Sequence, residues 1–287
     1  MTFLSILIAL LIERIAPQFS ELRQFQWLQN YSLWLSEVLH VERLAGWMGF
    51  SIILTPLLLL TWMFTGMFEH ALFGLFELAF GVVVVFFCLG PREMDGQIEQ
   101  YLDAIELEDN DSRVKLAANL LKEPPALELK DQVAQVCKGI FVESNTRIFS
   151  VLFWFAFFGP VAAVLYRLVE QLVRGQYLDT ALVQARQAAR IFLGIMDWVP
   201  ARISLFAFML SGSFDEGLKA YRHGTVLATD VYEQNHELVK EVGYRSINAQ
   251  SVDSSEQAQL QVRQSRGLVL RSLVVWLLVT LIVGFAS

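Results

Sequence analysis

Ile191-Phe192-Leu193-Gly194-Ile195-Met196-Asp197-Trp198-Val199-Pro200-Ala201-Arg202-Ile203-Ser204-Leu205-Phe206-Ala207-Phe208-Met209-Leu210 decides how this chain is read. It is apolar enough and long enough for a membrane helix, yet it carries a carboxylate and a guanidinium near its middle. Charges at that depth cost at least a few kcal/mol each, so they face a protein interior, find partners, and mark a functional region. Asp197 and Arg202 are five apart, too far round a regular helix to pair well. Pro200 between them removes a backbone hydrogen bond and is expected to kink or break the helix. Two roles follow for the pair. It holds a ligand at a broken helix end, or it braces a kink with Trp198 as an interfacial anchor.

The rest of the chain supports a membrane reading. Of its 287 residues 55% are hydrophobic and only 18% charged, with mean hydropathy +0.46. Soluble domains carry about 25% charged residues. A net charge of −7 argues against a nucleic-acid partner. Cys88 and Cys137 offer neither a disulfide framework nor metal-ligand spacing, and His40, His70, His223 and His236 are scattered. No metal site and no particular cofactor is expected. The chain lacks a P-loop, a nucleophile elbow, an HExxH and a GxGxxG.

Apolar blocks place spans at about 2–15, 47–67, 71–89, 148–169, 191–210 and 268–285. The first begins apolar at Phe3 without a basic region or cleavage site, so it reads as retained, either crossing or re-entrant. Residues 18–44, with Trp27, Tyr31 and Trp34, suit an amphipathic surface helix. Gly66, Gly74 and Gly81 allow close helix approach in the second and third spans. Two polar regions, 91–147 and 212–267, carry helical spacing and most of the Lys and Arg. The opposite side has only Arg174, Arg186 and Arg190. The large loops are therefore expected to be cytoplasmic, provided the Asp197 segment crosses. The fold class is all-α: a polytopic helical membrane protein with 5–6 transmembrane or re-entrant helices, two polar helical loops and one domain over 1–287.

Other candidate residues flank the fourth block. Glu143 and Arg147 are four apart and suit a pair on one helix face. Arg167 beside Tyr166 can snorkel to the interface. Phe153-Trp154 and Gly159-Pro160 read as packing and kink residues. Glu77 lies one heptad from His70, as a proton path or as a hydrogen-bonded acid in a hairpin.

The string Asp197-Trp198-Val199-Pro200-Ala201-Arg202 resembles the AmpE family of bacterial inner-membrane proteins. So does the order Glu13-Arg14, Leu89-Gly90-Pro91-Arg92, Ser150-Val151-Leu152-Phe153-Trp154, Gly159-Pro160 and Tyr166-Arg167. AmpE is in turn similar to the CbiB/CobD family, which joins an aminopropanol phosphate to adenosylcobyric acid. That family's Trp-Ile-Pro-Ala-Arg string is matched by Trp198–Arg202. Its acidic motif is represented only by Glu143 and Asn145, with Arg147 where an Asp-Gly belongs. The resemblance implies a multi-pass inner-membrane accessory linking cell-wall recycling to β-lactamase induction, with recycling proteins as partners. It also implies a pocket for an anionic or phosphorylated small molecule. Arg147 and Arg202 would supply charge there, Asp197 would orient Arg202, and Trp154 and Trp198 would form walls beside Glu143, Tyr166 and Arg167. Two alternatives stay open: an amide-forming membrane enzyme of the CbiB/CobD type, and a proton-coupled transporter using Glu77 and Asp197.

Overall fold

The computed structural model describes residues 2–15, 26–39, 46–68, 74–175, 182–224, 230–249 and 251–286. Among these residues the chain is helical, with no strand. Four stretches are long and apolar enough to cross a membrane: Gly46–Met67, Leu129–Arg174, Val183–Ser211 and Ser255–Ile282. The chain is a helical membrane protein. Helices α1 (Thr2–Ile15) and α4 (Leu75–Cys88) are apolar but short. His70 lies outside the described residues.

Helix α2 (Gln26–Leu39) is amphipathic: Leu28 and Leu35 are buried while Trp27 and Trp34 face outward. Helix α3 (Gly46–Phe68) follows, its Ser51, Thr55, Thr61 and Thr65 hydroxyls returning to carbonyls one turn earlier. That habit hides hydroxyls from lipid. The close approach expected within the second and third spans falls elsewhere. No described residue comes within 4 Å of a Cβ placed on Gly66, whereas Gly81 of α4 faces Ser5 of α1, 2.8 Å from where a Cβ would stand.

The polar region after α4 folds into α5 (Pro91–Glu106), α6 (Asn110–Leu121) and α7 (Leu129–Ser144). Asp109 caps α6 by accepting from the Ser112 N–H at 3.1 Å, and Lys122 ends it in a left-handed turn. Helix α7 runs through a π-helical turn, Asn145–Phe149, into α8 (Ser150–Arg174). A π turn adds a residue to the spiral and commonly sits at functional sites. Here every residue from Asn145 to Phe149 is buried.

The fourth block was expected to cross as one span over 148–169. Instead the backbone leaves the helix at Gly159 (φ 80, ψ −169) and the chain doubles back. The proof is chemical. Arg174 bonds to Glu143, 31 residues away, at 2.6 Å. A straight helix of that length would hold them about 46 Å apart. Each arm of this hairpin is roughly 15 residues, some 22 Å, shorter than the roughly 30 Å hydrocarbon core.

Helix α9 (Val183–Ser211) carries Pro200 inside an unbroken helix, so the break expected there lies at Gly159 instead. At its middle, Asp197 meets both arms. At its start, Arg186 Nε donates to the Val173 carbonyl at 2.8 Å; near its end, Phe208 packs on Phe149 and Phe141, centroids 5.8 and 5.1 Å apart. Both ends of α9 thus meet the open end of the hairpin, and α9 lies across it rather than along an arm. The polar helix α11 (Val231–Ser246) covers α9 from Arg190 to its C-terminal end, where the Ser213 N–H just beyond it donates to the Ser246 carbonyl, with α10 (Phe214–His223) tucked beside it. Helix α12 (Ser255–Ala286) closes the core, its buried Trp276 stacked on Phe149 at 5.8 Å.

Candidate functional site

Because the hairpin reverses, the two charged ends of the fourth block face each other. Arg174 Nη1 donates to both Glu143 oxygens, at 2.6 and 2.9 Å, and Nη2 donates to Thr146 Oγ1 at 2.7 Å. Arg147 Nε sits 2.5 Å from the same carboxylate. Arg174 Nε reaches Glu170 Oε1 at 2.6 Å. The other Glu170 oxygen accepts from Arg167 Nη1 and Gln171 Nε2, both at 3.0 Å. Three guanidiniums and two carboxylates are thus fixed at the open end, the carboxylates only 8% and 1% exposed.

Asp197 sits beside this network, fully buried. Its Oδ1 accepts from Ser150 Oγ at 2.9 Å and from Tyr166 Oη at 2.8 Å. Asn145 Nδ2 extends the chain by donating to Ser150 Oγ at 3.4 Å. Asp197 Oδ2 and Asn145 Oδ1 are buried without a hydrogen-bond partner among the described residues. A buried carboxylate oxygen with unspent acceptor capacity is costly, and a donor placed there would offset that cost.

Helix α11 roofs the centre. Its backbone lies so close to α9 that a Cβ on Gly194 would stand 2.7 Å from the Tyr232 nitrogen. Asn235 Nδ2 donates to the Gly194 carbonyl at 2.8 Å, and Arg190 Nε pairs with Asp230 at 2.8 Å. His236 stacks on Tyr232, ring centroids 4.1 Å apart, with its Nε2 buried and unpartnered. Burial, then the neighbouring Arg174 and Lys240 charges, push the imidazole down to about 3. It is neutral at physiological pH. Burial raises the Tyr232 phenol to about 12.

The structure therefore gathers Glu143, Arg147, Tyr166, Arg167 and Asp197 into one centre. It leaves out three expected members. Arg202 points away from Asp197, binding the Trp198 carbonyl at 3.1 Å and Asn235 Oδ1, with its guanidinium 4.5 Å from the Trp198 ring. Asp197 does not orient Arg202. Trp198 is 51% exposed on the outer face. Trp154 packs with Phe153 and Phe158 near the hairpin tip. Glu77 is exposed in the first turn of α4, not a buried acid.

Sequence reasoning did not single out Ser150, Arg174, Tyr232, Asn235 or His236 for the site. Arg174 lies one turn after Glu170 and two after Arg167, a spacing that marks one helix face. The α11 residues carried no such mark. Among the described residues no cluster of His, Cys, Asp or Glu is arranged to hold a metal ion.

A helical membrane protein built on a hairpin that a transverse helix closes at its base, over buried charges, is the class of protein defined here. Residues 6–263 match the CobD/Cbib protein family model, and the chain belongs to that family. Among curated proteins it is similar to the cobalamin biosynthesis protein CobD of Chromobacterium violaceum, 23% identical over 182 residues. That match covers 63% of this chain and 56% of the relative, so the chain spans little over half the relative's length. No solved structure matches.

Proposed function

We propose that the Asp197 centre binds a small metabolite carrying both an amine and an acid. The observation that carries this reading is Asp197 itself: fully buried, hydroxyl-bonded through Oδ1, and with Oδ2 open for a donor. An ammonium group satisfies that oxygen, while the guanidiniums at the hairpin base suit an anionic group. A phosphorylated amino alcohol has both. Family membership and the cobalamin-biosynthesis relative support using that ligand for amide formation with a corrinoid carboxylate. In such a step the free amine nitrogen bonds to the carbon of an activated acyl group such as an acyl phosphate, the phosphate departs with the C–O electron pair, and the amine's proton passes to a base, a role that the open Asp197 Oδ2 suits.

A second reading, an AmpE-type accessory at the bacterial inner membrane, rests on a different observation. Glu143, the one acid matched to the CbiB/CobD acidic motif, is engaged by both Arg147 and Arg174 and is not available as a catalytic base. On this reading, the centre binds a cell-wall recycling metabolite and signals without turnover.

The test is thermal stabilisation of the detergent-purified protein by amino-alcohol phosphates, corrinoid carboxylates and anhydro-muropeptides, with mass analysis for an amide product. Stabilisation by the amine, lost in Asp197→Asn, supports binding, and an amide product selects the cobalamin reading. Stabilisation by muropeptides alone selects the accessory role. Equal responses in wild type and Asp197→Asn overturn the assignment of the centre.

A further inference from the structure

Arg202, expected in the centre, stands outside it. The outer stripe of α9 reads Ile191, Ile195, Trp198, Val199, Phe206 and Leu210, all exposed large apolar side chains, with Arg202 set among them. Arg202 is the single charged residue of that stripe. No carboxylate among the described residues lies within ion-pairing distance of it. Its Nη1 is held by the Trp198 carbonyl and Asn235 Oδ1, and its guanidinium lies over the Trp198 ring. The guanidinium is thus fixed in direction by neutral groups while its charge is not balanced. A half-buried cation beside exposed tryptophan, in an otherwise apolar face and with no anion among the described residues, suits one from outside the protein.

The position of α9 says where that anion comes from. Helix α9 lies across the open end of the hairpin, with polar α11 along one side and the apolar stripe on another. That is how a helix lying in the headgroup layer is built. We propose that Arg202, stacked on Trp198 and steadied by Asn235, binds the phosphate of an anionic phospholipid headgroup, with the flanking stripe against its acyl chains. The chemistry is that of a guanidinium fork on a phosphodiester. This site is on the opposite face of α9 from Asp197 and does not depend on what the centre binds.

The experiment uses the full chain in a neutral detergent and follows thermal stabilisation by added phosphatidylglycerol, phosphatidylcholine and inorganic phosphate. Phosphatidylglycerol is expected to stabilise the wild type more than phosphatidylcholine does. Its half-effective concentration should rise about tenfold in Arg202→Gln, the loss of roughly one charge-assisted contact, and be largely restored in Arg202→Lys. Trp198→Ala, a surface change that folds even if Arg202→Gln does not, should weaken the effect in the same direction. Asp197→Asn should keep it. Equal stabilisation of Arg202→Gln and wild type overturns the site. So does phosphatidylcholine matching phosphatidylglycerol. A full response to inorganic phosphate overturns the lipid as its source.

Discussion

Two clusters in this molecule use the same chemistry at similar distances and differ in where their carboxylates sit. At the hairpin base, Arg174 bridges Glu143 and Glu170, carboxylates 8% and 1% exposed. Between α5 and α12, Arg266 bridges Asp95, at 3.0 Å, and Glu99, carboxylates 36% and 48% exposed. Water screens the second cluster and can replace its arginine. At the hairpin base little water reaches the two carboxylate oxygens that Arg174 holds. A salt bridge matters through what its removal strands, not through its length.

The sharpest way to break that contrast is to delete each arginine. Arg174→Ala leaves Glu143 to Arg147 and Glu170 to Arg167, but strips one buried oxygen of each carboxylate of its donor, and should cost about 3 kcal/mol of stability. Thermal or denaturant unfolding in detergent measures it, and a loss below about 1 kcal/mol would put the two clusters on one footing. Gly159→Ala comes next. A Cβ there meets nothing within 4 Å, so the whole cost is backbone, in a conformation that is essentially glycine's alone. About 1–3 kcal/mol is expected, with the Arg174–Glu143 contact weakened by the displaced reversal.

Acid distinguishes the clusters in a third way. The folded His236 is depressed from its ordinary 6.5 to about 3, so the unfolded chain takes the proton first. Stability is full above about pH 6.5 and falls as pH drops towards 3. His236→Gln should flatten that part of the stability–pH curve, and an unchanged slope would remove His236 from the account. The smallest effect belongs to Arg266→Ala, under about 1 kcal/mol and shrinking with added salt.

Much of this was legible in the residues. Apolar blocks gave the helices because period and length are local properties. Asp197 announced itself because a carboxylate in an apolar run has few innocent explanations. The reversal at Gly159-Pro160 was not legible. The same dipeptide serves a mild kink, and the sign of one φ separates the two outcomes. Arg174 was lost with it, counted as a distant loop charge while its partner lay 31 residues back. Asn235 and His236 sit in a polar stretch whose spacing says helix and nothing about the helix it covers. Pro200 misled in the opposite sense, since packing by α8 and α11 holds α9 continuous through it.

The hairpin also changes the arithmetic of topology. A segment that turns back at Gly159 gives up one passage through the bilayer, and an α9 that lies flat gives up another. Were both passages lost together, parity would be preserved: the polar regions 91–147 and 212–267 would share one face, as they would with both segments crossing. Counting Lys and Arg is blind to the difference. Depth is not, and a probe at Phe158 near the tip would report a middle-of-the-bilayer position where a crossing segment of that length would carry it onward.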